Sequence, residues 1–267
     1  MAWRIQAIAL IVIAFAAVTA CGGGGSSGGS QTSSAGHTTT GAHASSSSTS
    51  TVAAKPLPPP THTSCRSVVY IGDSTSDGEA LASFVPDPRL RAPAQLRKIG
   101  VQRIHMEVSG ARSIVETFKG IPNGATVAER YVSGGYRGCW IIALGTNEAA
   151  DVAAGSAVGL KARIARMMSI IGSQPVMWVN AITIAGSPEY YGEDGMRRWD
   201  QDLLAACEGH PTMRVFDWAR LAKQRWFIPD GVHYTTPGYE ARTRIIAHGL
   251  VNAFPQGRPP SHSCLVR

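Results

Sequence analysis

Four short polar segments carry side chains that could act together on a carbonyl carbon. They are Gly72-Asp73-Ser74, Ser109-Gly110, Gly145-Thr146-Asn147 and Asp230-Gly231-Val232-His233. A serine hydroxyl becomes an effective nucleophile when a histidine removes its proton and a carboxylate orients that histidine. Each segment alone would also suit a turn or a helix cap. In combination, the four segments predict nucleophilic acyl chemistry on a serine.

The predicted nucleophile is Ser74, at the start of a helix that directly follows a strand. We expect His233 to take the serine proton and later deliver it to the leaving alcohol. Asp230 lies three residues before His233, close enough to accept the other ring N–H and fix the tautomer. No other histidine has a carboxylate at a comparable spacing, so His233 is the base by elimination.

Three donors are predicted for the oxygen that gains negative charge as the tetrahedral intermediate forms. They are the N–H of Ser74, the N–H of Gly110 and the side-chain amide of Asn147. Asp73 is predicted to shape the serine turn by hydrogen bonding and not to carry a proton. The remaining carboxylates near these motifs are predicted to be surface or capping residues: Asp77, Glu148 and Asp217.

The elements that position these residues alternate between strands and helices. Short apolar runs at 68–71, 140–144 and 176–179 predict strands buried on both faces, and weaker runs lie at 104–108 and 213–216. Helical spacing of apolar residues over 160–171 turns Lys161, Arg163 and Arg166 outward, and another helix starts at Thr236-Pro237. The pattern predicts a doubly wound α/β fold, whose sites lie beyond the carboxyl ends of its strands.

The four segments, in this order, resemble the SGNH (GDSL-like) hydrolase superfamily, over residues 68 to about 254. The Gly-Thr-Asn block and the ending Asp230-Gly231-Val232-His233-Tyr234-Thr235-Thr236-Pro237-Gly238 are similar to SGNH domains linked to O-acylation of cell-wall glycans. The resemblance implies a three-layer, flavodoxin-like sheet of about five parallel strands. Two positions depart from the family pattern, because Thr75 replaces the leucine of the GDSL name and Glu148 replaces an aspartate that often follows the asparagine.

The amino-terminal part of the sequence predicts export and a lipid anchor. A basic start and an apolar run form a signal peptide over residues 1–20, and Val18-Thr19-Ala20-Cys21 resembles a lipobox, which predicts lipidation of Cys21. An ordinary secreted protein with an incidental cysteine is the alternative. A disordered Gly/Ser/Thr/Pro linker is expected over 21–61, the SGNH domain over 62–257 and a tail over 258–267. We therefore expect an extracytoplasmic protein anchored to the cell membrane.

The remaining cysteines are expected to form two disulfides in that oxidising compartment, and three pairings of them are open. These cysteines are Cys65, Cys139, Cys207 and Cys264. No His/Cys spacing indicates zinc, and no cofactor or metal is expected. The formal net charge of the chain is +7, but the basic residues are scattered and no nucleic-acid motif is present.

Four aromatic residues in loops are expected either to pack structurally or to form a sugar-stacking or acyl-binding wall: Tyr190, Tyr191, Trp226 and Phe227.

The resemblance and the motifs leave several functions open. The leading hypothesis is a serine esterase acting on an acylated glycan or lipid of the cell envelope. An O-acyltransferase that moves the acyl group to a wall glycan, with a membrane protein as acyl donor, shares the same acyl-enzyme. A lysophospholipase or general lipase would use the same site. A non-catalytic glycan-binding lipoprotein is the alternative from another class, although a binding protein has no need of an activated serine.

Overall fold

A parallel sheet of six strands forms the centre of a computed structural model that describes residues 58–267. The sheet order is β2-β1-β3-β4-β5-β6. Every neighbouring pair is parallel, so the carboxyl ends of the strands share one edge. The strands are β1 Ser67–Gly72, β2 Arg103–Val108, β3 Cys139–Ala143, β4 Val176–Val179, β5 Met213–Phe216 and β6 Leu265–Val266.

Helices cover both faces of this sheet. The α-helices are α1 Ser74–Ala80, α2 Ala92–Lys98, α3 Gly124–Ser133, α4 Thr146–Ala153, α5 Leu160–Ile171, α6 Glu193–Glu208, α7 Trp218–Leu221 and α8 Thr236–Ala253. Short 3₁₀ turns lie at Pro88–Leu90, Glu189–Tyr191 and Gln224–Trp226. Alternate residues of β1 divide between two cores, since Val68 and Tyr70 pack with α2 and α8 while Val69 and Ile71 pack with α3, α5 and α6.

The three-layer α/β fold is as the sequence predicts, but the sheet has six strands where about five were expected. The additional strand, β6, lies in the segment 258–267 that was expected to be a tail. Only two residues long, β6 has no apolar run that could have revealed it. It pairs with β5, and the N–H of Val215 donates to the carbonyl of Cys264 at 2.7 Å.

The four cysteines form two disulfides, and their pairing is one of the three arrangements left open by the sequence. Cys65, just before β1, is bonded to Cys139 at the start of β3, with a Cα–Cα distance of 5.7 Å. Cys207 in α6 is bonded to Cys264 beside β6, at 5.8 Å. The second bond attaches the segment carrying β6 to the helical layer.

Some sequence predictions fall outside the described residues. The signal peptide over 1–20, the lipidated Cys21 and the linker up to residue 57 all lie there. Within residues 58–267, no helix is both long and apolar enough to cross a membrane. The same part of the chain contains no group of three or more His, Cys, Asp or Glu side chains placed to hold a metal ion.

Candidate active site

Ser74 is the first residue of α1, immediately beyond the carboxyl end of β1. Asp73 caps this helix, and its Oδ1 accepts the Thr75 N–H at 2.8 Å and the Thr75 hydroxyl at 2.7 Å. Asp73 is buried. Its two hydrogen bonds to Thr75 shape the serine turn, which is the role expected for it. Thr75 donates both of these hydrogen bonds, and the one from its hydroxyl would not exist with the leucine of the GDSL name at this position.

A continuous chain of hydrogen bonds links Ser74, His233 and Asp230. His233 Nε2 lies 2.8 Å from Ser74 Oγ, although the two residues are 159 positions apart in the sequence. His233 Nδ1 lies 2.7 Å from Asp230 Oδ2. The two ring nitrogens therefore face a nucleophile on one side and a carboxylate on the other, which is the arrangement of a serine hydrolase triad.

The Asp230 carboxylate is arranged to accept a hydrogen bond from the Nδ1–H of His233. Its Oδ1 accepts the backbone N–H groups of Val232 and His233, each at 2.9 Å. Burial by itself raises the pKa of Asp230, but these two N–H groups and the His233 ring outweigh burial and hold the pKa below its ordinary value. Asp230 is therefore ionised at neutral pH. The His233 Nδ1–H donates a hydrogen bond to this carboxylate.

The turn between Asp230 and His233 depends on a glycine. Gly231 has a φ of +68°, and a Cβ there would lie 2.6 Å from the Ile184 carbonyl oxygen and 2.7 Å from the Ser187 nitrogen. The Gly231 carbonyl accepts the Ile184 N–H at 2.9 Å, so the connection after β4 supports the turn. Any side chain at this position would force the two segments apart.

A buried polar group packs against α1, the helix that begins with Ser74. The Arg242 guanidinium of α8 pairs with Glu79 and donates to Ser76 Oγ at 3.2 Å. The Tyr70 hydroxyl donates to the other Glu79 oxygen at 2.9 Å. Since Arg242 and Glu79 are both buried, the pair fixes α1 against α8 and β1. The motifs gave no indication of this pair.

Asn147 lies at the carboxyl edge of the sheet, beyond β3, as the second residue of α4. Its side chain is mostly buried, and its Nδ2 donates to the Arg112 carbonyl at 3.0 Å. Its Oδ1 accepts the hydroxyl proton of Tyr191 at 3.2 Å. Gly145, just before α4, has a φ of +155° and leaves no space for a Cβ beside Trp199. The asparagine amide is thus held in place at both ends.

Gly110 lies in the turn that follows β2, as predicted. The N–H of Ser109 donates to the Gly72 carbonyl at 3.2 Å, which places this turn beside the residue preceding Asp73-Ser74. Ala111 next to it has a φ of +57°, an unusual value for a residue with a side chain. Within residues 58–267 the Gly110 N–H donates to no backbone carbonyl.

Helix α4 holds the segment that carries Gly110. Besides the Asn147 contact, Glu148 Oε1 accepts the Ile114 N–H at 2.6 Å, and Asp151 accepts the Ser113 hydroxyl. Positions 147, 148 and 151 lie on neighbouring faces of one helix, so α4 fixes three successive residues of the loop, Arg112, Ser113 and Ile114.

The prediction that Glu148 is a surface or capping carboxylate is wrong. Its side chain is completely buried, and burial, followed by the nearby charge of Asp73, raises its pKa to about 8. Asp217 is also buried, where it accepts from Asn180 and from Arg267. Asp77 is half-buried on α1 near Gly110. Arg163, expected to point outward, is buried against Glu116.

The loop aromatics divide into two groups. Trp226 and Phe227 are buried, with Trp226 stacked on Trp218 at 5.8 Å and Phe227 against Tyr234 at 4.8 Å, so both pack structurally. Tyr190 is 41% exposed, and Tyr191 reaches Asn147. The hydrogen bond from Tyr191 to Asn147 was not among the roles expected for the loop aromatics.

Comparisons with known proteins find similar solved structures but no match by sequence. No protein-family model matches the chain, and no curated protein matches it by sequence. Among solved structures, a proposed arylesterase of Agrobacterium tumefaciens is similar at 24% identity, over 68% of this chain and 97% of that one, with a TM-score of 0.53.

Two further structures are similar at lower identity. The C-terminal catalytic domain of peptidoglycan O-acetyltransferase A of Streptococcus pneumoniae, which carries a methylsulfonyl adduct, shares 15% identity over 74% of this chain and 98% of that one, with a TM-score of 0.51. Est24, a carbohydrate acetylesterase of Sinorhizobium meliloti, shares 17% identity over 71% of this chain and 100% of that one, also with a TM-score of 0.51. The part of the chain that the structure describes has the SGNH hydrolase fold shared by these esterases and this acetyltransferase domain.

Proposed function

We propose that the protein is an extracytoplasmic serine esterase that cleaves an ester-linked acyl group through an acyl-enzyme on Ser74. The observation that supports this most strongly is the unbroken chain from Ser74 through His233 to Asp230, with distances of 2.8 and 2.7 Å. The chain lies at the carboxyl edge of a parallel sheet, on the fold of known esterases. Fold alone would not assign an activity, but these side chains supply the chemistry.

The first half of the reaction forms the acyl-enzyme. His233 Nε2 removes the hydroxyl proton as Ser74 Oγ attacks the ester carbonyl carbon. Asp230 stabilises the positive ring that results. The carbonyl oxygen becomes negative and is met by the N–H groups of Ser74 and Gly110 and the amide of Asn147. When the intermediate collapses, the C–O bond to the alcohol breaks and His233 gives its proton to the departing oxygen.

The second half of the reaction releases the acyl group. His233 removes a proton from an incoming hydroxyl, whose oxygen attacks the acyl carbon of the acyl-enzyme. A second tetrahedral intermediate forms on the same three donors. Its collapse breaks the bond to Ser74 Oγ, and the proton on His233 returns to the serine. Water as the attacking group gives hydrolysis, and a sugar hydroxyl gives acyl transfer.

An O-acyltransferase that moves an acyl group to a wall glycan is the second candidate. The similarity to the catalytic domain of a peptidoglycan O-acetyltransferase favours it. We propose a substrate from the cell envelope, an acylated glycan or lipid, because the sequence predicts a lipid anchor at Cys21 outside the cytoplasm. A membrane acyl-donor protein would then be a partner. A glycan-binding lipoprotein is a weaker candidate, because it would not require the triad.

A series of nitrophenyl esters of increasing acyl length, run with and without a glycan acceptor, tests the proposal. We expect the wild type to turn over short-chain esters fastest, and Ser74→Ala to lose activity by about a million-fold with its fold intact. Formation of acylated glycan when the acceptor is present would select the transferase. A preference for esters with long acyl chains would select a lipase. Normal turnover by folded Ser74→Ala protein would refute the proposal.

A further inference from the structure

The Asn147 amide can be used as an oxyanion donor only in one of its two orientations. Its Nδ2 donates to the Arg112 carbonyl, which can accept but not donate, at 3.0 Å. Its Oδ1 faces the Tyr191 hydroxyl at 3.2 Å. Rotation of the amide by 180° would place two carbonyl oxygens against each other, with no proton between them. The two contacts together therefore determine which end of the amide is the donor.

One proton of the amide remains for the substrate. The NH₂ group carries two N–H bonds, and the Arg112 carbonyl takes one of them. The residue as a whole is 8% exposed, so little of the amide faces solvent. The second N–H can meet a carbonyl oxygen only if the group stays in this orientation. Loss of the contact at Oδ1 would leave the Arg112 contact to hold the amide alone.

Tyr191 is itself well anchored. It lies in the 3₁₀ turn Glu189–Tyr191, where its N–H donates to the Pro188 carbonyl at 2.8 Å. The Thr183 hydroxyl donates to the Tyr191 carbonyl at 2.6 Å. Burial raises the pKa of the Tyr191 hydroxyl, so it keeps the proton that it donates. The phenol is therefore a fixed donor and not a mobile surface side chain.

The segment that carries Tyr191 also supports the histidine turn. It connects β4 to α6, and near its start the Ile184 N–H donates to the Gly231 carbonyl at 2.9 Å. A single connection thus contacts the turn between Asp230 and His233 at one point and Asn147 at another. The two halves of the site are therefore held in register by the same stretch of chain.

We propose that Tyr191 is a positioning residue, whose hydroxyl orients the Asn147 amide so that its free N–H faces the oxyanion. This inference rests on the proposed function, in which Asn147 stabilises the charge on the tetrahedral intermediate. The charge exists in the transition state and not in the bound ester, so disorientation of the donor lowers kcat and leaves KM nearly unchanged. The residue acts through Asn147 and does not touch the reacting atoms.

Tyr191→Phe is the direct test, with Tyr190→Phe as its matched control. Each variant loses one phenolic oxygen, at neighbouring positions, but of the two hydroxyls it is that of Tyr191 that donates to Asn147, while Tyr190 is 41% exposed. We expect Tyr191→Phe to lower kcat on a short-chain nitrophenyl ester by about 10-fold, the effect of one lost hydrogen bond. Tyr190→Phe should keep wild-type kcat and KM. Equal kcat in both variants would overturn the inference.

A double-mutant cycle separates orientation of the amide from general damage to the site. In the Asn147→Ala background there is no amide to orient, so adding Tyr191→Phe should lower kcat no further. A further loss of about 10-fold in that background would contradict a role through Asn147. Thermal unfolding of each variant, followed by circular dichroism, establishes that all of them are folded.

The Asn147 side-chain NH₂ signals provide a readout that needs no enzymatic activity. They are identified in a ¹⁵N NMR spectrum as the pair lost in Asn147→Ala. Tyr191→Phe should shift or broaden this pair, whereas Tyr190→Phe should leave it unchanged. Wild-type protein without esterase activity would refute the proposed function while this spectrum still decides the inference. Active wild-type protein with unchanged signals in Tyr191→Phe would refute the inference alone.

Discussion

The two halves of the site are built in different ways. In the triad half, Ser74, His233 and Asp230 bond to one another directly, and two of the three come from one short turn. In the half proposed to stabilise the oxyanion (the oxyanion half), Gly110 and Asn147 are held by backbone groups and side chains from other segments. The first half is thus contained within its own motifs. The second depends on contacts that its motifs do not include.

The charge states of two carboxylates show the same difference. Asp230 is 37% exposed and has two backbone N–H donors and the histidine ring, so its pKa lies below the ordinary value. Glu148 is fully buried with one backbone donor, and its second oxygen has no partner in residues 58–267. Its pKa is raised to about 8. Two similar side chains therefore serve opposite purposes, one as an anion and one as a neutral hydrogen-bonding group.

The largest effect is expected in the triad half, from Asp230→Asn. An amide cannot stabilise the charged His233 ring and favours the wrong tautomer, so kcat should fall by about 10⁴-fold. The measurement is turnover of a short-chain nitrophenyl ester. Asp202→Asn is the control, because Asp202 pairs only loosely with Lys161, at 3.8 Å, on the surface of α6. An unchanged kcat in Asp230→Asn would exclude Asp230 from the triad.

A smaller loss is expected in the oxyanion half, from Asn147→Ala. Removal of one oxyanion donor lowers kcat by about 100- to 1000-fold, because the other donors remain. The same ester assay measures it, with Asn252→Ala as control, since Asn252 lies on an exposed part of α8. A loss under about tenfold in Asn147→Ala would mean that the charge is stabilised elsewhere.

The effect of Glu148→Gln concerns stability and not the reaction rate. Since the pKa of Glu148 is raised in the folded state, the folded protein keeps a proton that the unfolded chain releases. The free energy of unfolding should therefore fall as the pH rises from about 4.5 to about 8, by at most about 1.4 kcal/mol per pH unit from this group. Below that range the stabilisation is complete.

Urea unfolding at several pH values measures this dependence. The wild-type protein should lose stability across that range more steeply than Glu148→Gln, whose side chain cannot titrate. The difference between the two curves isolates Glu148 from Asp200 and Asp151, whose pKa values are also raised, to about 7 and about 6. Parallel curves would show that Glu148 is ionised in the folded protein.

The sequence predicts those parts of the site whose residues lie close together in the chain or directly beside a recognisable strand. Asp230 and His233 share one turn, and Ser74 follows an apolar strand directly, so parallel topology alone brings them to one edge. The predicted strands follow from the same apolar runs. The strand β6 was missed because two residues cannot show a pattern.

The residues that the sequence did not predict are buried polar groups with distant partners. Glu148 and Arg163 occupy helical positions where a charged residue usually faces water, yet each bonds to the loop before α3. Glu79 and Arg242 are 163 residues apart, and nothing in either helix indicates the other. Such pairs become apparent only when the packed elements enclose them. The disulfide pairing was open for the same reason.

We propose that Ser74 is a nucleophile activated by His233. This proposal is tested most directly by treating the folded protein with a serine-reactive fluorophosphonate and locating the adduct by peptide mass spectrometry. We expect one adduct, on Ser74, formed rapidly by the wild type and very slowly by His233→Ala. An adduct on another residue, or folded wild-type protein that stays unmodified, would contradict it.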